Sequence, residues 1–278
     1  MNDLQIIEGK NLDALAGILG ASTNTGGGDA GRMPELKINS QVEDDEGNIL
    51  PRGEFYIKGM DQKVFSPTVK FRPLSHHYQW LHYDPEQNKL VNKTRMVASF
   101  REEARDIRGG IKCGKPSYKA MQDMPQEERE KYKDITLFRQ VRGLVSYTGK
   151  TLSGEEVKIE NQPVILMLKG SNYGAFEDDY IKTLTRGQNI FDYYVELSTE
   201  KHKNGSVTWY TFVYGKKDGP VAIDQATYDT MVHIADMIST ENKKVDDAYF
   251  NAAREDALDA SAYNALGDSL DDDFDDVA

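Results

Sequence analysis

Aromatic and basic side chains are interleaved through residues 52–150, which contain 12 aromatic and 20 basic residues. The clearest runs are Phe55–Lys58, Lys70–Arg72, Tyr78–Tyr83 and Phe138–Arg142. Binding an unpaired nucleic-acid strand requires both residue types, because bases stack on flat rings while cations neutralise the phosphates. The pattern therefore predicts a surface for single-stranded nucleic acid, with a share of the rings packed in the core.

The candidate contacts are cations of this block and rings that lie near them in the sequence. They are Lys58, Lys70, Arg72, Tyr78, Trp80, Tyr83, Lys93, Arg95, Arg101, Arg105, Arg108, Lys112, Lys115, Arg139 and Arg142. Successive side chains of a strand point to opposite faces, so Tyr78 and Trp80 share one face and Gln79 and Leu81 the other. We expect Tyr78 and Trp80 to be exposed.

The net charge of −12 is unevenly distributed along the chain. Residues 52–150 carry 20 basic and 12 acidic side chains, a balance of +8, whereas residues 1–51, 151–240 and 241–278 carry −6, −5 and −9. A basic block in an acidic chain is suited to a polyanion, and the acidic end is suited to compete for that surface. The alternative is that the block is only a solvated face.

The segment Gly109–Lys115 has most of the GxxxxGK spacing of a phosphate-binding P-loop. That motif needs Ser or Thr after the lysine to bind Mg²⁺, and Pro116 stands there instead. A charged segment, rather than an apolar strand, precedes the first glycine. We expect no nucleotide hydrolysis, although this glycine-rich loop carries Arg108, Lys112 and Lys115 towards a nucleic-acid backbone.

The sequence shows no strong pattern for metal binding or catalysis. His76, His77, His82 and Cys113 lack the paired spacing of zinc ligands. Acidic clusters such as Glu177-Asp178-Asp179 arise often in a chain with 29% charged residues, and no nucleophile and base are spaced as a catalytic pair. We therefore expect a protein that is not an enzyme and needs no metal or other cofactor.

The local pattern is dominated by strands. β-Branched and aromatic runs predict strands near residues 53–58, 64–71, 77–83, 94–101, 135–147, 163–169, 191–198 and 206–214. Apolar spacing predicts helices at 125–133, 174–185 and 222–240. Regular strand–helix alternation is missing, so we expect a β-dominated α+β fold built around a small, partly open barrel with inserted helices.

Both ends of the chain differ from this core, which we place at residues 32–240. Residues 1–31 predict an arm, with a short helix followed by a glycine-rich linker, and its Leu12, Leu15 and Leu19 are candidates for self-association. In residues 241–278, the sequence predicts a helix at 246–266, and the aspartate-rich end that follows predicts a disordered acidic tail. The candidate partner-binding residues of this tail are Asp268, Leu270, Asp271, Asp272, Asp273, Phe274, Asp275 and Asp276.

Composition also limits the cellular location. The longest apolar run, Val164–Leu168, has five residues and is too short to cross a bilayer. The first ten residues lack the basic start and apolar stretch of a secretory signal. A single cysteine, Cys113, excludes an intramolecular disulfide and fits a reducing compartment. We expect a cytoplasmic protein, in the host cell if the source is viral.

This plan resembles the replication-type single-stranded-DNA-binding proteins of tailed bacteriophages. The resemblance rests on the aromatic and basic core at 36–220, the arm at 1–31 and the acidic tail at 267–278 with Phe274 near its end. It implies a core of OB-fold type, and a tail that shields the DNA groove and recruits polymerase, helicase–primase or recombination proteins. The chain departs from some members in lacking cysteines for zinc and in ending on Val277-Ala278.

We therefore expect a non-catalytic protein that coats single-stranded DNA during replication, recombination or repair and self-associates along it. RNA stays open as a ligand, because stacking surfaces accept either polymer. The alternative function is a protein-interaction or virion-associated structural protein, whose acidic tail is a docking peptide and whose basic block meets another protein.

Overall fold

The computed structural model describes residues 33–271, and in the last helix it describes side chains as far as Arg254. The predicted self-association residues Leu12, Leu15 and Leu19 lie outside the described residues, as do Asp272, Asp273, Phe274, Asp275 and Asp276 of the tail. The fold is β-dominated, with a strongly curled sheet and a few helices. The β-dominated class predicted from the sequence is confirmed.

Eight strands and four α-helices make up the described chain. The strands are β1 (Glu35–Ile38), β2 (Phe55–Lys58), β3 (Val69–Asp84), β4 (Lys89–Lys93), β5 (Ile135–Lys150), β6 (Glu156–Leu168), β7 (Val195–Asn204) and β8 (Val207–Lys217). The helices are α1 (Tyr118–Asp123), α2 (Gln126–Glu130), α3 (Ser171–Ala175) and α4 (Gln225–Asp271). A π-helical turn at Phe176–Tyr180 and short 3₁₀ turns at Lys112–Gly114, Ile181–Thr183 and Ile190–Asp192 complete the elements.

The strands form one sheet in the order β2-β1-β6-β5-β3-β7-β8, with β4 paired to β3. Strand β1 is antiparallel to β2 and parallel to β6, while β3 is antiparallel to both β4 and β7. The chain divides into two compact units. Within the described residues, unit 1 comprises residues 33–72, Gly143–Leu166 and Val195–Lys216, and unit 2 comprises Pro73–Arg142, Met167–Tyr194 and residues 217–271.

Each unit has its own apolar core. In unit 1, Phe55 and Phe212 lie with ring centroids 5.8 Å apart, and Phe71 is fully buried. In unit 2, Phe176 and Tyr180 are fully buried and stack at 5.5 Å. Phe176 and Tyr180 lie in the segment predicted as a helix at 174–185, and their burial confirms the apolar face predicted there. The segment is built from π and 3₁₀ turns in place of a regular α-helix.

Two predicted strand boundaries are wrong. The run at 77–83 and the last three residues of the run at 64–71 belong to the single strand β3, which begins at Val69 and continues through Pro73. The predicted strand at 94–101 forms only isolated bridges, at Thr94 and Val97. Its second half turns instead, because the Glu102 carboxylate accepts hydrogen bonds from the backbone N–H groups of Ala98 and Ser99, each at 3.1 Å.

The predicted helices at 222–240 and 246–266 are one helix, α4. Residues 241–245 contain no helix breaker, and an ion pair of 2.9 Å between Glu241 and Lys244 bridges one turn there. Ile234 and Val245 are buried along its length. The helix ends at Asp271, so Asp268, Leu270 and Asp271 of the predicted disordered tail are helical. Among the described residues, no helix combines the length and apolarity required to cross a membrane.

We expect Gly143→Ala to destabilise unit 1. A Cβ atom at this position of β5 would lie 2.7 Å from the Phe71 ring and against the Arg72 carbonyl oxygen. Overpacking of this kind costs about 1–3 kcal/mol in the free energy of unfolding, measurable as a lower urea midpoint. Gly174→Ala is the control, because nothing lies within 4 Å of its added Cβ. Equal midpoints for the two variants would contradict the close packing of β3 on β5.

Candidate nucleic-acid interface

The rings of Tyr78 and Trp80 lie on one face of β3 and are buried, with exposures of 8% and 6%. The expectation that they are exposed is therefore wrong. The cover is Phe100, whose ring stacks on Tyr78 with centroids 4.3 Å apart and meets Trp80 edge-on at 6.0 Å. Sequence alternation predicted the shared face correctly, but it did not show that a later segment covers that face.

Phe100 is the outermost ring of this stack, with 51% of its surface exposed. The turn around it is held by side chains, because Glu102 accepts from the Ala98 and Ser99 N–H groups and the Ser99 hydroxyl accepts from Arg101 N–H at 3.2 Å. An exposed aromatic ring is thus held flat on a buried one. Phe100 was not among the predicted contacts, although it directly precedes Arg101, which was.

Two cations accompany this stack of rings, one next to Phe100 in the chain and one over Trp80. Arg101 is exposed and follows Phe100 directly in the chain. The Lys112 ammonium lies 5.5 Å from the centroid of Trp80, in a cation–π contact. We call this set the Phe100 platform: the rings of Phe100, Tyr78 and Trp80 with the cations of Arg101 and Lys112.

A buried carboxylate shapes the loop that carries Lys112. Asp106 is 1% exposed, and its oxygens accept from the N–H groups of Arg108 at 3.0 Å, Gly110 at 3.1 Å and Cys113 at 3.0 Å. These bonds hold the glycine-rich loop in one shape, with the Arg108 side chain exposed. The segment that resembled a P-loop is therefore organised by its own aspartate.

Arg139, predicted as a phosphate contact, is buried inside unit 2 with 2% exposure. Its guanidinium carbon lies 4.5 Å from the ring centroid of Tyr173, 5.1 Å from that of Tyr78 and 5.4 Å from that of Phe176. Its Nη2 group donates to the Tyr78 hydroxyl at 2.9 Å and to Glu177 at 2.7 Å. Arg139 therefore positions Tyr78 beneath Phe100 instead of meeting solvent.

Two further predicted contacts are also buried. Arg142 is 7% exposed and donates to the Gln140 side chain at 2.6 Å, and burial lowers its pKa to about 10. Arg72 is 1% exposed in unit 1. Both arginines point to the interior, Arg72 from β3 and Arg142 from β5, which are long strands in the middle of the sheet order. Their positive charge alone predicted exposure and did not indicate which face of the strand they occupy.

Helix α4 holds three of the predicted cations. Lys93 pairs with Glu241 at 3.0 Å, and Arg95 pairs with Asp246 at 3.2 Å. Asn242, between these two acids, accepts from the N–H of Met96 at 2.7 Å and donates to its carbonyl at 2.8 Å. The acidic helix is thereby fixed to the segment that follows β4.

The third cation, Arg105, lies against the same helix. Its guanidinium is 5.4 Å from the ring centroid of Tyr249 and 5.2 Å from that of Phe250, and it reaches Asp246 at 3.9 Å. Glu103 accepts its Nε–H at 2.7 Å. Each of these three cations is only partly exposed, so their charge is largely neutralised within the protein.

The remaining predicted contacts have different settings. The Lys115 ammonium donates to the carbonyl groups of Ile135 and Tyr132, and burial lowers its pKa. Tyr83 is 40% exposed near the end of β3 in unit 2. Lys58 and Lys70 are exposed but belong to unit 1, whereas the Phe100 platform belongs to unit 2.

No protein-family model, curated protein or solved structure matches this chain. We therefore infer its function from the geometry and charge of the Phe100 platform. Among the described residues, no three or more His, Cys, Asp or Glu side chains lie together in an arrangement suited to a metal ion.

Two groups of unit 2, the buried Cys113 and the half-buried His77, have pKa values far from their ordinary range. Burial raises the pKa of the Cys113 thiol to about 12, so this sulfur stays protonated at neutral pH. Burial, with the nearby charges of Arg142 and His76, lowers the pKa of His77 to about 4. His77 is therefore neutral in the folded protein, and it takes up a proton more readily in the unfolded chain.

We expect His77 to make the protein less stable in mild acid. Between its ordinary pKa of 6.5 and the folded value of about 4, the unfolded state binds more protons, so this contribution is complete above pH 6.5 and is lost as the pH falls towards 4. The variant His77→Gln should therefore lose less stability over that range, by about 3 kcal/mol in the free energy of unfolding. Urea unfolding at several pH values measures this difference.

The control is His233→Gln, which exchanges a histidine of α4 in the same unit. Its pH profile should follow that of the wild type. If His77→Gln also loses stability between pH 6.5 and 4 as the wild type does, then His77 is not the group responsible.

Proposed function

We propose that this protein binds single-stranded DNA and catalyses no reaction. The observation that carries the proposal is the half-exposed Phe100 ring, stacked at 4.3 Å on the buried Tyr78, with the exposed Arg101 next in the chain and Lys112 over the neighbouring Trp80. A ring held in place before the ligand arrives loses little conformational entropy when a base stacks on it. Each such base contributes about 1–3 kcal/mol to binding.

The platform favours single strands over duplexes for a physical reason. Bases in a duplex are already stacked on one another, so an exposed ring gains nothing from them without unstacking. The exposed cations Arg101 and Arg108 supply the salt-dependent attraction to phosphates that any nucleic acid feels. Selectivity for single strands therefore comes from Phe100, and the cations provide general affinity.

We further propose the wider setting that the sequence resemblance implies. The β-dominated, curled sheet supports an OB-like core, and the resemblance to phage proteins supports a role in replication, recombination or repair in the cytoplasm. The acidic end would recruit replication proteins. The salt bridges from Glu241 and Asp246 to Lys93 and Arg95 support an acidic C-terminal region that neutralises the basic block.

Phe100→Ala should weaken binding of oligo-dT by about five- to hundredfold at low salt, because a stacking surface is lost. Fluorescence anisotropy of a labelled oligonucleotide measures the affinity, with a duplex of equal length beside it. Phe100→Tyr keeps a flat ring and should bind as the wild type does.

The matched control is Tyr228→Ala, which removes a 55% exposed ring from α4 in the same unit. It should leave the affinity unchanged. Wild-type affinity in Phe100→Ala, or equal affinity of the wild type for duplex and single strand, would defeat the proposed role of the platform.

Removing residues 267–278 should tighten binding of oligo-dT at low salt, because the six aspartates of this segment no longer compete with the phosphates. The gain should disappear at high salt. A full-length chain with those six aspartates replaced by asparagine separates charge from length, and should show the same gain. Equal affinities with and without the charges would exclude competition by the tail.

The same titrations test the alternative, a protein-interaction or virion-associated protein. Absence of oligonucleotide binding in both the full-length chain and the chain without its tail would reject the nucleic-acid function. The acidic end would then be assigned to a protein partner.

A further inference from the structure

The hairpin formed by β7 and β8 carries a second exposed aromatic ring, in unit 1. Strand β8 is the last in the sheet order, and a two-residue turn at Gly205-Ser206 joins it to β7. Gly205 has φ of 58°, a conformation that such tight turns require and glycine adopts without strain. The hairpin is thus a well-formed edge of the sheet.

Alternation along β8 separates its rings onto two faces. Tyr210 covers Gly53, where an added Cβ would lie 2.5 Å from the nearest ring atom, and Phe212 packs on Phe55 in the core. Trp209 points to the opposite face and is 39% exposed. The core of unit 1 therefore uses the even-numbered rings and leaves the indole at the surface.

The exposed indole is held in a fixed position. The ring of His202 stacks on Trp209 with centroids 5.4 Å apart and planes 20° from parallel. The His202 Nε2 atom lies 2.8 Å from the Thr211 hydroxyl, which fixes the imidazole in turn. One side of the indole is supported by this stack, as Phe100 is supported by Tyr78.

The charge of the hairpin is positive. Residues 195–217 contain four lysines and two glutamates. Lys201 and Lys203 are exposed on either side of His202, and Glu200 lies 3.7 Å from the His202 ring. Because successive side chains of β7 alternate, these two lysines lie on the face opposite His202 and the Trp209 indole, near the hairpin tip, where they add positive charge for phosphates that pass round it.

We infer that the β7–β8 hairpin is a second contact for single-stranded DNA, in which Trp209 stacks an unpaired base and Lys201 and Lys203 neutralise phosphates where the DNA strand passes round the hairpin tip. This inference rests on the proposed function and extends it to unit 1. The Phe100 platform and the hairpin lie in different units, so each can be altered without changing residues of the other.

The two tryptophans of the chain allow a direct optical test. Trp80 is 6% exposed and Trp209 is 39% exposed. Oligo-dT should quench the wild-type tryptophan emission, and the Trp209→Phe variant should lose most of that quenching while it keeps its affinity. Quenching that persists unchanged in Trp209→Phe would overturn the inference.

Affinity gives the second test. Trp209→Ala should weaken oligo-dT binding about tenfold in anisotropy titrations, whereas Leu152→Ala, which trims a 45% exposed side chain in unit 1, should not. Replacing Lys201 and Lys203 by glutamine should lower the slope of log affinity against log salt by about 1.4. Urea midpoints equal to the wild type show that the variants are folded.

The outcomes separate the two proposals. Wild-type affinity in Trp209→Ala, with weakened binding in Phe100→Ala, overturns the hairpin contact and keeps the proposed function. Absence of oligo-dT binding by the wild-type chain, with and without residues 267–278, overturns both. Equal quenching of Trp209 by a duplex overturns the assignment to single strands.

Discussion

The guanidinium of Arg139 is the interaction on which the Phe100 platform depends. A buried charge is tolerated only when it is paired and hydrogen-bonded, and here Glu177 and the Tyr78 hydroxyl provide those partners at 2.7 and 2.9 Å. Tyr173 adds a ring face at 4.5 Å. Because these contacts leave Tyr78 one position, Phe100 has a flat surface to stack on and stays half exposed.

Many cations of the basic block at residues 52–150 are buried or ion-paired within the fold. Arg72, Arg139 and Arg142 are buried, and the cations at positions 93, 95 and 105 are paired with acidic side chains. The exposed charge near the platform therefore comes from few residues, chiefly Arg101 and Arg108. A balance of +8 in residues 52–150 thus overstates the electrostatic attraction that a polyanion meets.

Local sequence patterns predicted the strand-rich fold, because strand formation depends largely on residues that are close together in the sequence, and alternation and β-branched composition describe those residues. They did not predict the exposure of Tyr78 and Trp80, since the side chain that covers them arrives 20 residues later as Phe100. They also missed that the strand predicted from residue 94 stops at a turn closed by Glu102. Trp209 was placed correctly in a strand, but alternation alone did not say which face was covered.

The loop beside the platform has an unusual backbone. Lys112 and Cys113 both have φ of 55°, and Gly114 follows at 79°, so three successive residues lie in the left-handed region. For a residue other than glycine this conformation costs about 1–2 kcal/mol, which the hydrogen bonds to Asp106 offset during folding. The Lys112 ammonium consequently stands over Trp80 in advance. Under the proposed function, a single DNA strand would meet a finished surface, and its binding would follow simple bimolecular kinetics, with a rate proportional to DNA concentration.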